Sequence, residues 1–381
     1  MKKFQTKLKQ LKDKNRFRSL SLPAGIDLTS NDYLGLAGHS QLRAAAIQFL
    51  QGGGVIGAGG SRLLRGHTKA HADLEDFAAD YFVAPKCLYF STGFQANSTI
   101  FQTLPSRHDA IIFDEYIHAS AREGIQNSYA QHKRVTHNDM EAYEEALQSV
   151  KAQQKGQIWI AVESVYSMDG DIAPLYELYV LAEKYDAILV IDEAHGTGVF
   201  GPTGKGVSEE LIAAHGYERI ITLHTCGKAM GVAGGLICGS EEVIDMMINA
   251  ARGFIYSTAS LPLQAFLVQK ALELIASEEG QWRREKLNRL CKKAQQFFGG
   301  PGAHIVPIII GDDDECLDIA KILQQKGYDI RAIRPPTVAE GTARLRLSLS
   351  ADLDEAVLEQ FAADYEAVKT HPRPAVAKRR A

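Results

Sequence analysis

The sequence has no long apolar run, no excess of positive charge and few cysteines, and each shortage removes a class of protein. Nowhere do its 381 residues approach the roughly 20 consecutive apolar residues of a membrane-spanning helix. The first residues, MKKFQTKLKQLKDK, lack the apolar core of a secretory signal, so a cytoplasmic protein is expected. Net charge is −4, which offers none of the basic excess that nucleic-acid binding needs. The basic ends, MKKFQTKLKQLKDK and KRRA, read as a solvated amphipathic helix and a frayed tail. The five cysteines (Cys87, Cys226, Cys238, Cys291 and Cys316) are odd in number and show no metal-ligand spacing. They read as reduced thiols, with neither a disulfide framework nor a metal centre.

What is present is an ordinary globular composition: 45% hydrophobic and 23% charged residues, in a chain long enough for two domains. Apolar runs at Ala110–Phe113, Ile158–Val162, Ile188–Ile191 and Ile220–Leu223 read as buried strands, and CLYFSTGFQANSTIFQTL (87–104) reads strand, turn, helix. Helices are expected over 4–20, Gln41–Leu50, Thr68–Phe82, Asp139–Gln153, Leu175–Tyr185 and Leu263–Ile275, with another starting at Glu241. The alternation predicts an α/β architecture with a large, mostly parallel sheet covered on both faces. Past residue 275, helices near 281–298 and 315–326 alternate with strands near 304–310, 328–333 and 343–350, as in a smaller α+β domain. The expected division is an N-terminal helix and arm (1–33), a large α/β domain (34–274) and a C-terminal α+β domain (275–381).

Two glycine-rich stretches imitate nucleotide sites and fail on context. Gly52, Gly54 and Gly57 satisfy G-x-G-x-x-G, with Glu75 or Asp76 near the distance of a ribose-binding acid. A dinucleotide fingerprint must follow a strand, whereas this one follows the helical QLRAAAIQFL. GPTGKG (201–206) has Val199 where a phosphate loop requires glycine, and Gly206 where it requires Ser or Thr.

In open parallel sheets, ligands collect at the carboxyl ends of strands. The run Ile188–Ile191 delivers Asp192 and then His195 into a turn with Gly196, Gly198 and Gly201; the run Ile220–Leu223 delivers Thr225, Gly227 and Lys228. An acid, an imidazole, a hydroxyl and an amine at one crevice suit pyridoxal 5′-phosphate (PLP). That cofactor needs an amine to bond its aldehyde, an acid to keep its ring nitrogen protonated and donors for its phosphate. Ser91, Thr92 and Gly93 open a helix, where free N–H groups and the dipole favour an anion, although plain capping fits them too. His118 follows a strand and either stacks on a flat ring or caps a turn. Ser164 and Ser167 also sit at a strand's carboxyl end. Arg344 and Arg346 share a strand face by the period of two. They form either a bidentate grip on a carboxylate or an exposed surface pair. Cys226, two residues from Lys228, is expected to be sensitive to oxidation.

In order and spacing, NDYLGL, GAGGSRLLRG, STGFQAN, DEYIHAS, SVYSMDGD, IDEAHGTGVFG, HTCGKAMG, IYSTASLP and RPPTVAEGTARLRLSLS resemble the α-oxoamine synthases. These are PLP-dependent enzymes of fold type I, the aspartate-aminotransferase fold, and the resemblance runs from about residue 28 to 350. SRLLRGHTKAH and IRPPTVAEGTARLRLSLS are most similar to the branch that joins L-alanine to pimeloyl-CoA or a pimeloyl-carrier protein in biotin biosynthesis. Sister branches, such as the one joining glycine to acetyl-CoA, share the core. The chain departs from the family pattern in two places. Its connection between RFRSL and DLTSNDYLGL is short, and Cys226 stands where phenylalanine or leucine is commoner. A catalytically idle binding module of the same fold is the rival from another class, and the presence of Lys228, Asp192 and His195 speaks against it.

The resemblance implies a role for each matching position. Lys228 would hold the cofactor and later remove the amino acid's α-proton. Asp192 would pair with the ring nitrogen, His195 and Ser167 would flank the ring's phenolic oxygen, and His118 would stack on its face. Thr225 and the Gly93–Phe94 backbone would hold the phosphate end. Arg346, helped by Asn31, would bind the substrate carboxylate, with Arg18 and Thr337 as further substrate contacts. Tyr256, Ser257 and Thr258 resemble a segment that reaches a partner's active site, which implies a homodimer.

Overall fold

The computed structural model describes residues 1–153 and 156–370, so the KRRA tail lies outside the described residues. Contacts divide the chain into two compact units. One comprises residues 31–167 and 171–287; the other comprises 1–30, 168–170 and the chain from 288 onward. The C-terminal boundary, expected at 275, thus falls inside the long helix Glu278–Phe298. Residues 1–30 join the C-terminal unit instead of forming a separate arm.

The larger unit is built on seven strands: β1 (Lys86–Phe90), β2 (Ala110–Asp114), β3 (Gln131–Val135), β4 (Ile158–Glu163), β5 (Ala187–Asp192), β6 (Ile220–Thr225) and β7 (Gly235–Gly239). Their order is β1-β7-β6-β5-β4-β2-β3, and β7 runs antiparallel to both its neighbours while the other pairs are parallel. Every residue of β2, β4 and β7 is buried, which is why these strands read as unbroken apolar runs. The side chains of Leu189, Ile191, Ile160 and Ile237 are wholly inaccessible. Each contributes roughly 1.5–3 kcal/mol relative to exposure.

Several elements here escaped the sequence reading, among them the helices Ala119–Gln126 and Arg252–Ile255. Edge strand β3, QHKRV, is polar and exposed over four of its five positions; a charged edge of this kind discourages pairing with other chains. The helix Glu209–His215 is too short to show a period. The glycine decoy resolves as expected from its context: Gly52 caps the helix Ser40–Gln51, so a helix and not a strand leads directly into it.

In the smaller unit, Ile305–Gly311, Ala343–Ser348 and Ala332–Ile333 form an antiparallel sheet. The strand expected over 328–333 is two pieces. Tyr328–Asp329 pairs instead with Ile26–Asp27, and the Ser348 N–H donates to the Leu28 carbonyl, which ties the N-terminal segment to this unit. The first helix, expected over 4–20, spans only Lys2–Asp13. Asn15 adopts the left-handed conformation (φ 52°) that ends helices, and its side chain donates to Asp314. Arg344 and Arg346 are only 6% and 8% exposed, which removes the surface-pair alternative. Arg344 is paired with Asp169.

Candidate active site

The carboxyl ends of β4, β5 and β6 deliver Glu163, Asp192 and Thr225 side by side in the larger unit. Asp192 is 5% exposed, and its two oxygens are held by different donors. The Ala194 N–H donates to Oδ1 (2.9 Å) and Asn97 Nδ2 to Oδ2 (2.6 Å). Asn97 lies one turn inside helix α1 (Gly93–Thr103), and its amide also donates to Ser120 Oγ (3.0 Å) in helix α2 (Ala119–Gln126). Ser120 Oγ is 2.7 Å from His118 Nδ1, so an unbroken polar path joins His118 to Asp192. His118 also caps α2 by accepting the Ser120 N–H, so the capping and site readings of this residue are compatible. Burial lifts the Asp192 carboxyl above its ordinary value, while Lys228, His118, the Ala194 N–H and Asn97 pull it down. Burial lowers the His118 pKa, with Asp192 and Lys228 acting in opposite senses.

Lys228 Nζ lies 2.6 Å from His195 Nε2, and His195 Nδ1 lies 2.6 Å from the Tyr33 hydroxyl. Tyr33 is fully buried and donates to Asn31 Oδ1 (2.9 Å). With that proton on Asn31, the Tyr33 oxygen accepts from His195 Nδ1–H, which leaves Nε2 as the ring's acceptor for the amine. The acid after His195's strand has a different task. Glu193 is buried and accepts from Ser164 Oγ and from the N–H groups of Val207 and Ser208, pinning the glycine-rich turn that carries His195.

At the start of α1, Thr92 accepts the Gln95 N–H. Gly93 and Phe94 lie in the first turn, whose N–H groups have no acceptor within the helix. A Cβ on Gly93 would stand 2.5 Å from Thr225 Oγ1, so only glycine permits this approach of helix to strand. Ser257 and Thr258 line a small cavity with Ser91 and Gln95; Thr258 bridges Ser61, and Tyr256 is exposed. Ser167 opens the turn 167–169 that follows β4, and just beyond that turn Asp171 is held by His137 Nε2 (2.6 Å). In the smaller unit Arg18 donates to Thr337 Oγ1 (3.1 Å), and Arg346 Nη1 donates to Ser348 Oγ (2.7 Å).

The expectation for Cys226 fails. Its side chain is wholly buried and its thiol is pushed well up by burial, so it is an inert packing group. Asn97, Ser120 and Tyr33 were missed. Asn97 had a usable signal, because it follows Gly93 by four residues and so shares the helix face that meets the crevice.

This donor set fits PLP: an amine beside an imidazole, a buried carboxylate held in place by two N–H donors, and a glycine-lined cradle at a helix N-terminus. Among the described residues no group of His, Cys, Asp and Glu could hold a metal ion, and no helix is long and apolar enough to cross a membrane.

The chain belongs to the aminotransferase class I and II family, whose sequence model matches residues 23–364. Its curated relatives are more specific. It is 40% identical over 372 residues to an 8-amino-7-oxononanoate synthase of Herminiimonas arsenicoxydans, covering 92% of this chain and 94% of that one. To the protein of the same name from Geobacter sulfurreducens it is 38% identical, covering 93% and 95%. Among solved structures, a serine palmitoyltransferase of Sphingomonas wittichii overlays with a TM-score of 0.84 at 28% identity, covering 90% of this chain and 87% of that one. The 8-amino-7-oxononanoate synthase of Francisella tularensis overlays with a TM-score of 0.73 at 26% identity, covering 91% and 98%.

Proposed function

We propose that this chain is a PLP-dependent acyltransferase of biotin biosynthesis. It condenses L-alanine with pimeloyl-CoA, or with a pimeloyl-carrier protein, to give 8-amino-7-oxononanoate, CO2 and the free thiol carrier. The observation that carries the reading is the joint placement of Lys228 against His195 and of Asp192 against Asn97, within a chain about 40% identical to synthases of that name.

When bound, PLP supplies an electron sink conjugated to the α-carbon of the amino acid. Every other task falls to the chain. Lys228 would hold the cofactor through Nζ, and the same atom would accept the α-proton of alanine. Asp192, fixed on both oxygens, keeps the ring nitrogen protonated so that the sink stays effective. His195 and Ser167 orient the ring through its phenolic oxygen, and His118 excludes water from one ring face. Thr225 and the first-turn N–H groups of Gly93 and Phe94 would hold the phosphate by donating hydrogen bonds to it. Arg346, with Asn31, fixes the alanine carboxylate and so points the α-proton at the lysine. Arg18 and Thr337 would be further contacts to substrate. A homodimer in which Tyr256, Ser257 and Thr258 complete the partner's phosphate site accounts for the exposed position of that segment.

The test is thiol release by the PLP-loaded protein, crossing L-alanine, glycine and L-serine against pimeloyl-, acetyl-, succinyl- and palmitoyl-CoA. Release confined to L-alanine with pimeloyl-CoA is expected. Release with glycine and acetyl-CoA would move the chain to a sister branch with the same site, and no release would leave an idle binding module.

A further inference from the structure

Glu163 is the last residue of β4 and stands in parallel register with Asp192 of β5. In-register residues of neighbouring parallel strands point to the same face of the sheet, about 4.8 Å apart. Two carboxyl groups therefore meet at the floor of the crevice, and their environments differ. Asp192 has Asn97 and the Ala194 N–H on its oxygens. Glu163 is 1% exposed; its Oε1 has no hydrogen-bond partner among the described residues, and the Ser167 N–H is the donor that reaches its carboxyl. A bare charge on a buried oxygen without a partner is far costlier than a proton there. Like charges this close also cannot both ionise cheaply.

The groups that act on Glu163 point the same way. Burial, then the charges of Asp192 and Asp114, push its carboxyl well above the ordinary range, against Lys228 and the Ser167 N–H. Asp192 has the better claim to the single negative charge, since Lys228, His118 and its two N–H donors all favour its ionised form.

We propose that Glu163 is a positioning residue of the cofactor site that works as a neutral carboxylic acid. One oxygen receives the N–H of Ser167, the other carries a proton, and the negative charge of the crevice is confined to Asp192. The proposal rests on the PLP reading above. Under it, the acid serves two ends. It fixes the turn that aims Ser167 at the ring's phenolic oxygen, and it prevents a second anion from competing with Asp192 for the ring-nitrogen proton.

The experiment compares wild type, Glu163→Gln and Glu163→Ala as PLP-loaded proteins. Three quantities are read: the pH dependence of the bound cofactor's visible absorbance, PLP retention on ultrafiltration, and kcat. Glutamine keeps a carbonyl for the Ser167 N–H and replaces the O–H by an N–H, so it should leave the absorbance titration in place and kcat within about twofold of wild type. Alanine should weaken PLP retention by about tenfold, the worth of one hydrogen bond, and lower kcat. Rescue by glutamine and not by alanine is the expected pattern. A glutamine variant whose absorbance titration moves as it would on losing a neighbouring negative charge would overturn the proposal, because Glu163 would then be an anion. An alanine variant that matches wild type in all three would overturn it as well. A wild-type protein that takes up no PLP would overturn the cofactor reading along with it.

Discussion

Lys228 Nζ and His195 Nε2 are 2.6 Å apart, and the imidazole is held from its other side by Tyr33. The reactive amine is therefore aimed through a tyrosine that lies far from it in sequence. Tyr33→Phe keeps the buried ring and removes the oxygen that accepts from His195 Nδ1. One such hydrogen bond is worth roughly 1 kcal/mol, so kcat/KM should fall by about 5- to 10-fold with the PLP load intact. Steady-state kinetics alongside the cofactor's absorbance would check this. Unchanged kinetics would mean that other contacts orient His195.

Lys228→Ala should abolish turnover and covalent attachment of PLP, while Asp192 and the cradle at Gly93 still bind the cofactor. Borohydride reduction followed by mass spectrometry distinguishes attached from merely bound PLP. Wild-type activity in this variant would sink the assignment.

Asn97 supports the site through Asp192. In Asn97→Ala, Asp192 Oδ2 loses its 2.6 Å donor inside a buried pocket. Leaving such an oxygen unpaired costs about 1–3 kcal/mol, and the expected outcome is a PLP affinity lower by about 10- to 100-fold, seen by titration of the apoprotein. Ser120→Ala touches the same path farther from the carboxylate and should have the smaller effect.

The parts of this molecule legible in the sequence are those whose physics is local. Strands β2, β4 and β5 announce themselves because a strand buried on both faces must be apolar throughout. Asp192, His195 and Lys228 stand out because strand ends feeding glycine-rich turns place polar groups at a crevice. Tyr33 was not legible, because its partner His195 lies 162 residues away and only the fold brings the two together; the helical period placed Asn97 toward the crevice, but not its partner Asp192, 95 residues away. The same limit hid the pairing of Ile26–Asp27 with Tyr328–Asp329, and with it the true membership of residues 1–30. Cys226 misled because proximity in sequence to a reactive lysine says nothing about burial.

The assembly has its own test. A homodimer predicts a solution mass of twice 41.8 kDa by light scattering. Mixing an inactive Lys228→Ala chain with a chain weakened at Ser257 and Thr258 should then restore some activity, because one of the two sites in a mixed dimer is intact. A chain that is active as a monomer would rule this arrangement out.

His137 gives the fold a dependence on alkaline pH. Its Nδ1 is 2.9 Å from Asp114 Oδ1 and its Nε2 2.6 Å from Asp171 Oδ2, joining the end of β2 to the turn that follows Ser167. Burial alone would lower the His137 pKa, but the hydrogen bonds and charges of Asp114 and Asp171 overcome it and raise the value to about 10. A raised folded pKa means that the contribution is complete below the unfolded value of 6.5 and is lost as pH rises through about 10. His71 and His224 have the opposite sign. Burial lowers them to about 4 and about 3, so their effect is a loss of stability as pH falls below 6.5. Thermal melts of the wild type should therefore decline between neutral pH and pH 10. His137→Gln should melt lower at pH 7 and decline less over that interval, since a neutral amide has no proton to release. Its kcat should also fall, because the turn carrying Ser167 loses its tether. If the two proteins decline in parallel from pH 7 to 10, the alkaline sensitivity comes from other groups and His137 is a neutral strut.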